Sequence, residues 1–162
     1  MIRAAVESDL PELLAIYNHY VRETPITFDL EELSLEARRT WFMQFRTEGR
    51  HQLLVAENNG QILGYAHSTA FRPKPAYQRS VETTVYLLPD HQGAGRGSAL
   101  LRELLCRLRA AKTHRAYAII TLPNDASIRL HEKFGYQPLM ALSEVGYKFG
   151  RYWDTQWMEC RL

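Results

Sequence analysis

The chain has 162 residues, 46% apolar and 23% charged, enough to bury a two-layer core in one domain over residues 1–162 and too apolar for intrinsic disorder. A net charge of +2 creates no global field toward nucleic acid or an anionic membrane, although a local basic patch can still hold an anionic cofactor. Cys106 and Cys160 lie far apart with no C-x-x-C spacing, so no metal site or disulfide framework is expected, and two free thiols suit a reducing compartment.

The N-terminus carries Arg3, Glu7, Asp9 and Glu12 in place of an apolar leader core. No uncharged stretch along the chain approaches the roughly 20 residues of a membrane span, so a soluble cytoplasmic protein is expected. A short strand at residues 2–5 precedes a helix that Ser8 or Asp9 can cap, with Pro11 in its first turn and Leu10, Leu13, Leu14 and Tyr17 on one face. Ser34 opens a second helix whose Trp41, Phe42 and Phe45 point to core. Asn58-Asn59-Gly60 between residues 53–57 and 61–68 is a hairpin signal, because Asn-Gly tolerates positive φ. Residues 80–88 are rich in Val and Thr and read as a strand. Leucines 101, 104, 105 and 108 stripe a helix over residues 98–112. A buried strand at 117–122 ends at Pro123, and Asn124 or Asp125 caps a helix that Gly135 closes. Two further strands follow, near 136–143 and 156–161. The order predicts an α/β (α+β) domain, a mixed central sheet flanked by helices, without repeats or linkers.

Three of the nine glycines fall within His91-Gln92-Gly93-Ala94-Gly95-Arg96-Gly97-Ser98, between a strand and an amphipathic helix. Such a turn lets amide N–H groups approach an anion without Cβ obstruction, and the helix start adds unpaired donors. A glycine turn can also serve a tight bend alone. The spacing is neither a Walker loop, which needs Gly-Lys-Ser/Thr, nor the G-x-G-x-x-G of a Rossmann turn. It does resemble the Q/R-x-x-G-x-G/A loop of the GNAT superfamily. Asn124 followed by Ser127-Ile128-Arg129-Leu130-His131-Glu132-Lys133-Phe134-Gly135-Tyr136 is similar to that family's second cofactor segment. The resemblance implies an acyl-CoA N-acyltransferase fold with acetyl-CoA as co-substrate and no metal. The amides of Gln92, Gly93, Ala94, Gly95, Arg96, Gly97 and Ser98 would hold its pyrophosphate, Val85, Tyr86 and Leu87 would pair with the pantetheine arm, and Asn124 would contact the cofactor.

Acetyl transfer to an amine needs a base for the ammonium, fixed donors for the carbonyl oxygen and a proton for the departing thiolate. Glu82 is the candidate base: alternation places it on one strand face with Thr84, two residues before the cofactor-pairing stretch, where burial raises a carboxyl pKa. An ordinary solvent-facing glutamate is the competing reading. Val81-Glu82-Thr83-Thr84-Val85-Tyr86 resembles the base-bearing strand of phosphinothricin-type acetyltransferases. His131 stands where many GNAT enzymes carry a tyrosine that protonates the thiolate, and the same branch carries histidine there. An imidazole titrates near neutrality, so it is either that proton donor or a packed core group. A backbone N–H around Tyr86 or Leu87 is the expected donor to the carbonyl oxygen.

Arg72, Pro73 and Lys74 form a stiff basic loop able to clamp small anionic groups. The branch holds its substrate with this loop, alongside the glutamate, and commonly forms homodimers. The resemblance therefore implies a small amino acid such as phosphinothricin or methionine sulfoximine as acceptor. Another amine, a polyamine or a protein N-terminus, and a non-catalytic acyl-CoA-binding module are the alternatives; the basic loop opposes a polyamine.

Overall fold

Alternating Val, Leu and Thr segments punctuated by Asn-Gly, Gly and Pro give the chain its strands and turns. A computed structural model describes residues 1–162 as a seven-stranded sheet with helices on both faces. β1 (Ile2–Ala4) leads into α1 (Leu10–Glu23) and α2 (Leu35–Phe42). β2 (Leu53–Asn58), β3 (Gln61–Ala70) and β4 (Ser80–Leu87) follow, then α3 (Arg96–Ala110), β5 (Arg115–Thr121), α4 (Asp125–Lys133), β6 (Gln137–Lys148) and β7 (Arg151–Arg161). The sheet order is β1-β2-β3-β4-β5-β7-β6, and every pairing is antiparallel except β4 with β5.

Period-two alternation sorts the core into two layers. Leu54, Ala66, Val81, Ala116, Ala118 and Met158 pack under the leucine stripe of α3. Leu53, Val55, Tyr65 and Tyr86 point the other way, under Leu10, Leu13, Ile16 and Tyr20 of α1. The β2–β3 hairpin turns on Asn59 (φ 50°) and Gly60 (φ 82°), as Asn-Gly predicts. Ser34 caps α2, its Oγ accepting the Ala37 N–H at 3.1 Å.

Three boundaries differ from the sequence reading, each for a tertiary reason. Asp9 does not cap α1: its carboxylate pairs with Arg3 at 2.7 Å and accepts the Val6 N–H at 2.8 Å, and α1 follows directly on a 3-10 turn at Glu7–Asp9. α3 begins at Arg96 because left-handed Gly95 (φ 76°) already offers its carbonyl to the Ala99 N–H at 3.0 Å. β6 and β7 are far longer than the segments near 136–143 and 156–161. β6 is an edge strand and mostly exposed, so it carries no burial alternation to read. Its bulge at Glu144 (φ 53°) is held by the Asp154 carboxylate, which accepts the Glu144 N–H at 2.7 Å.

The parallel junction positions the site. β4 and β5 pair only through Ser80–Arg115, Val81–Ala116 and Glu82–Tyr117. Beyond that register β5 stays with β7 while β4 keeps β3 alone, so the sheet splits along Thr83–Leu87.

Candidate active site

The split opens into a cleft of about 490 Å³. Val85, Tyr86 and Leu87 form one wall, Gln92, Gly93, Gly95, Gly97 and Ser98 one end, and Asn124 with α4 the other wall. Ala94 and Arg96 belong to the same turn but not to the lining; the Arg96 guanidinium instead donates to the His91 carbonyl at 3.2 Å and braces the turn. Gly93 (φ 79°) and Gly95 (φ 76°) line the cleft in the left-handed region, with open space where a Cβ would stand. Gly97 lies where α3 meets α4 and the sheet, and a Cβ there would stand in ordinary contact with Leu130 (3.4 Å) and Leu87 (3.5 Å). Asn124 caps α4, its side-chain oxygen accepting the Ser127 N–H at 3.2 Å. An open strand edge, a glycine cradle and a helix start fit the CoA thioester that the family resemblance implies.

Between the split strands the cleft narrows to a recess of about 50 Å³ lined by Thr83, Thr84, Ile119, Ser127 and His131. The imidazole Nδ1 of His131 lies 2.8 Å from the Ser127 carbonyl. A carbonyl can only accept, so Nδ1 carries the proton and the buried Nε2, which has no partner, presents a lone pair. Burial lowers the pKa of this ring, partly offset by the Ser127 carbonyl. In the uncharged ring Nε2 is thus an acceptor, the opposite of the proton donor that was one of the two sequence expectations. Tyr136 meets the ring edge-on at 4.9 Å. The Thr83 hydroxyl donates to the Tyr117 carbonyl at 3.1 Å, so Tyr136 Oη donates to Thr83 at 2.7 Å.

Glu82 occupies the last paired register, between Thr69 of β3 and Tyr117 of β5. Burial pushes its carboxyl up, and the Arg72 cation opposes that rise. Phe71 stacks on Tyr117 at 4.3 Å, and Arg72 lies over Phe71 at 4.4 Å and beside Trp157 at 5.6 Å. An aromatic shelf thus holds the cation toward Glu82. Lys74 and Pro73 remain exposed, with Lys74 leading into a 3-10 turn at Pro75–Tyr77 and taking part in no ion pair. Arg72 is likewise exposed and in no ion pair, but its charge is felt at Glu82, whereas Lys74 is not among the groups that shift Glu82.

Three features escaped the sequence reading. Tyr20 lines the cleft, donates to the Leu87 carbonyl at 2.7 Å and accepts from Gln92 at 3.2 Å, tying α1 to the glycine turn. Ile26, between α1 and α2, lines both the cleft and its recess. Its segment is strapped down: Lys148 donates to the Thr27 carbonyl at 2.8 Å, Tyr17 to Asp29 at 2.6 Å, and the Phe28 ring lies against Gly146. Arg38 is only 2% exposed, stacks on Trp41 at 3.5 Å and donates to Tyr65 Oη at 2.9 Å. An apolar stripe with Tyr17 and Tyr20 one turn apart was the only local hint of any of these contacts.

Comparison with known proteins agrees with this geometry. The chain is 51% identical over 160 residues to a phosphinothricin N-acetyltransferase of Streptomyces coelicolor, covering 98% of this chain and 94% of that one. It is 37% identical over 161 residues to an L-methionine sulfoximine/L-methionine sulfone acetyltransferase of Pseudomonas aeruginosa, covering 99% and 94%. The solved structure of a phosphinothricin acetyltransferase from Sinorhizobium meliloti in complex with AcCoA superposes with a TM-score of 0.95 at 32% identity, covering 100% and 88%. With the acetyltransferase (GNAT) domain matching residues 2–157, the chain belongs to the GNAT acetyltransferase family.

Proposed function

We propose that this chain is a single-domain N-acetyltransferase that moves the acetyl group of acetyl-CoA to the amino group of phosphinothricin or methionine sulfoximine. The observation that carries the reading is Glu82, a half-buried carboxyl pushed up by burial at the head of the split β4–β5 pair, with Arg72 beside it. A raised carboxyl is a better-matched acceptor for an ammonium proton near neutral pH than an ordinary glutamate. Arg72, with Lys74 on the same loop, attracts a carboxylate and a phosphinyl or sulfoximine group, orienting the amine toward Glu82. The amides of Gly93 and Gly95 cradle the pyrophosphate, Val85–Leu87 offer backbone partners to the pantetheine arm, and Asn124 closes the far wall. When bound, acetyl-CoA supplies the acyl group as an activated thioester. Ile119 and Ile120 border the recess and limit water there. His131 Nε2 faces it as a proton acceptor, so His131 donates a proton only after first taking one up.

The test is release of CoA thiol from acetyl-CoA across an amine panel. Turnover of either amino acid well above a spermidine and an N-terminal peptide control is the expected result. Turnover of only the polyamine or the peptide would move the function to another amine. Saturable CoA binding without turnover of any amine would leave a binding module.

We also propose a cytoplasmic homodimer. No helix is long and apolar enough to cross a membrane. Met140, Val145, Tyr147 and Tyr152 are each roughly half exposed on the β6–β7 hairpin, an apolar edge of the kind a second copy covers. A sedimentation mass of one chain at micromolar concentration would refute the dimer.

A further inference from the structure

Alternation divides β7 between the two sides of the sheet. Met158 and Cys160 join the core under α3, so Thr155, Trp157 and Glu159 face the opposite side, with their register partners Thr121, Ile119 and Tyr117 of β5. On that side the buried cluster beneath α1 and α2 draws on β2, β3 and β4, and on neither β5 nor β7. The β5–β7 half of the face runs instead beneath Ile26, whose carbonyl accepts from the Thr121 hydroxyl at 3.5 Å. Ile119 and Thr121 line the recess. This half of the face carries two polar atoms that are shielded from solvent and have no partner, Trp157 Nε1 and Thr155 Oγ. Thr155 is only 3% exposed.

An indole N–H can only donate, and a buried donor left without an acceptor is costly to keep. A third donor stands beside the first two. The Arg72 guanidinium lies 5.6 Å from the Trp157 ring, and its charge is felt at Glu82. The carboxylate of the same face of β7, Glu159, sits opposite Tyr117, further from Thr155 than Trp157 is, and forms no ion pair. A group ending among Arg72, Trp157 and Thr155 must therefore bring acceptors, and negative charge would suit it best. β7 is the second strand from β4, about 10 Å across the sheet. An acceptor's side chain and the indole can span that distance between them when the amine lies at Glu82.

We propose that Trp157 and Thr155 donate hydrogen bonds to oxygens at the far end of the acceptor's side chain. They thereby select amino acids ending in a tetrahedral phosphorus or sulfur oxo group over those ending in an apolar one. The inference rests on the proposed acetylation of such amino acids. Its test compares phosphinothricin, methionine sulfone and methionine as acceptors at saturating acetyl-CoA, in the wild type, Trp157→Phe and Thr155→Val. Trp157→Phe keeps an aromatic ring without the N–H, and Thr155→Val keeps the shape without the hydroxyl. Each variant should lose about 10–100-fold in kcat/KM on anionic phosphinothricin and about 2–10-fold on the neutral sulfone, mostly through KM. Those are the ranges of hydrogen bonds to charged and to neutral groups. Methionine has the same sulfur without the oxygens. Followed as acceptor and as competing inhibitor, it should change by less than about twofold, as should KM for acetyl-CoA. Thr155→Ser, which restores the hydroxyl, should recover most of the loss. Removing a donor that has no partner in the free protein should leave the urea stability of Thr155→Val unchanged or raised. Equal losses on all three acceptors would mark a packing defect, and unchanged phosphinothricin kinetics would leave both groups to the interior of the fold. Either result would overturn the inference while the acceptor reading stands. Wild-type turnover of other amines alone would sink the two together.

Discussion

Adding one methyl group at Gly146 should unfasten the segment that roofs the cleft. A Cβ there would overlap three carbons of the Phe28 ring. The β6 backbone at Gly146 is held by its pairing with Trp153, so the ring is the part that must leave. Phe28 is 37% exposed, so roughly 100–150 Å² of the area a phenylalanine can bury would return to water. At about 25 cal/mol per Å² that is at most about 4 kcal/mol, and partial re-packing brings the expected loss for Gly146→Ala to about 1–3 kcal/mol. For a chain of this length the melting temperature should drop by about 3–10 °C. The same segment carries Ile26, so KM for the amine should rise in the variant. Urea unfolding of Gly146→Ala, Phe28→Ala and the double variant closes the cycle. Once Phe28 is gone the methyl group has nothing to displace, so the double variant should cost no more than Phe28→Ala alone. Losses that simply add would refute the reasoning.

Three other outcomes follow from the site and its surroundings. Burial among Trp41, Phe45 and Tyr65, together with the Arg38 cation, brings the His67 pKa down to about 3. Below about pH 6.5 only the unfolded chain takes up this proton, so stability falls with pH by about 1.4 kcal/mol per unit until the folded value is reached. Between pH 6.5 and 5 the wild type should lose about 2 kcal/mol more than His67→Phe in urea titrations, and parallel curves would dispose of the idea. Glu82→Gln should lower kcat at neutral pH by about 10²–10⁴-fold, less at high pH where free amine accumulates; near-normal kcat with the same pH profile would make Glu82 structural. Arg72 holds the Glu82 carboxyl down, so Arg72→Gln should move the acid limb of kcat/KM to higher pH and raise KM for the amino acid alone. An acid limb that stays in place would remove Arg72 from the field at Glu82.

What could be read ahead of the structure was whatever local chemistry determines. Asn59-Gly60 fixes its hairpin, Ser34 its cap, and the glycines at 93 and 95 their turn, each through φ or a hydrogen bond within a few residues. The place of Glu82 on β4 was legible because strand alternation and its distance from the glycine turn are both linear along the chain. What stayed hidden depends on partners far away in sequence. Arg38 and Arg39 look alike on paper, yet one is buried under Trp41 and the other exposed, because only tertiary packing brings Tyr65 beside the first. The tautomer of His131 follows from one carbonyl a helical turn earlier, and its recess exists only because two strands part company. The length of β6 was illegible for the opposite reason: an edge strand exposed over most of its length shows little burial alternation.

That parting of β4 from β5 leaves an edge in the interior of a sheet. The main-chain groups of Thr83–Leu87 that face β5 belong to a half-made ladder, and the ribbons β1–β4 and β5–β7 are joined there by three residue pairs. Exposed edges ordinarily invite a foreign strand. Here the gap is lined by Ile26 and α4 and opens into a cleft of about 490 Å³, so the intruder it suits is a small molecule acting as a strand. A ligand seated in the wedge would then complete the sheet as well as react within it. The cohesion of the fold would rise with the logarithm of ligand concentration over its dissociation constant. Those amides of Thr83–Leu87 that face β5 would trade hydrogen with solvent quickly in the empty protein and slowly in the filled one. A cell rich in that ligand would keep the two ribbons stitched, and purification away from it would leave the molecule at its loosest along one seam.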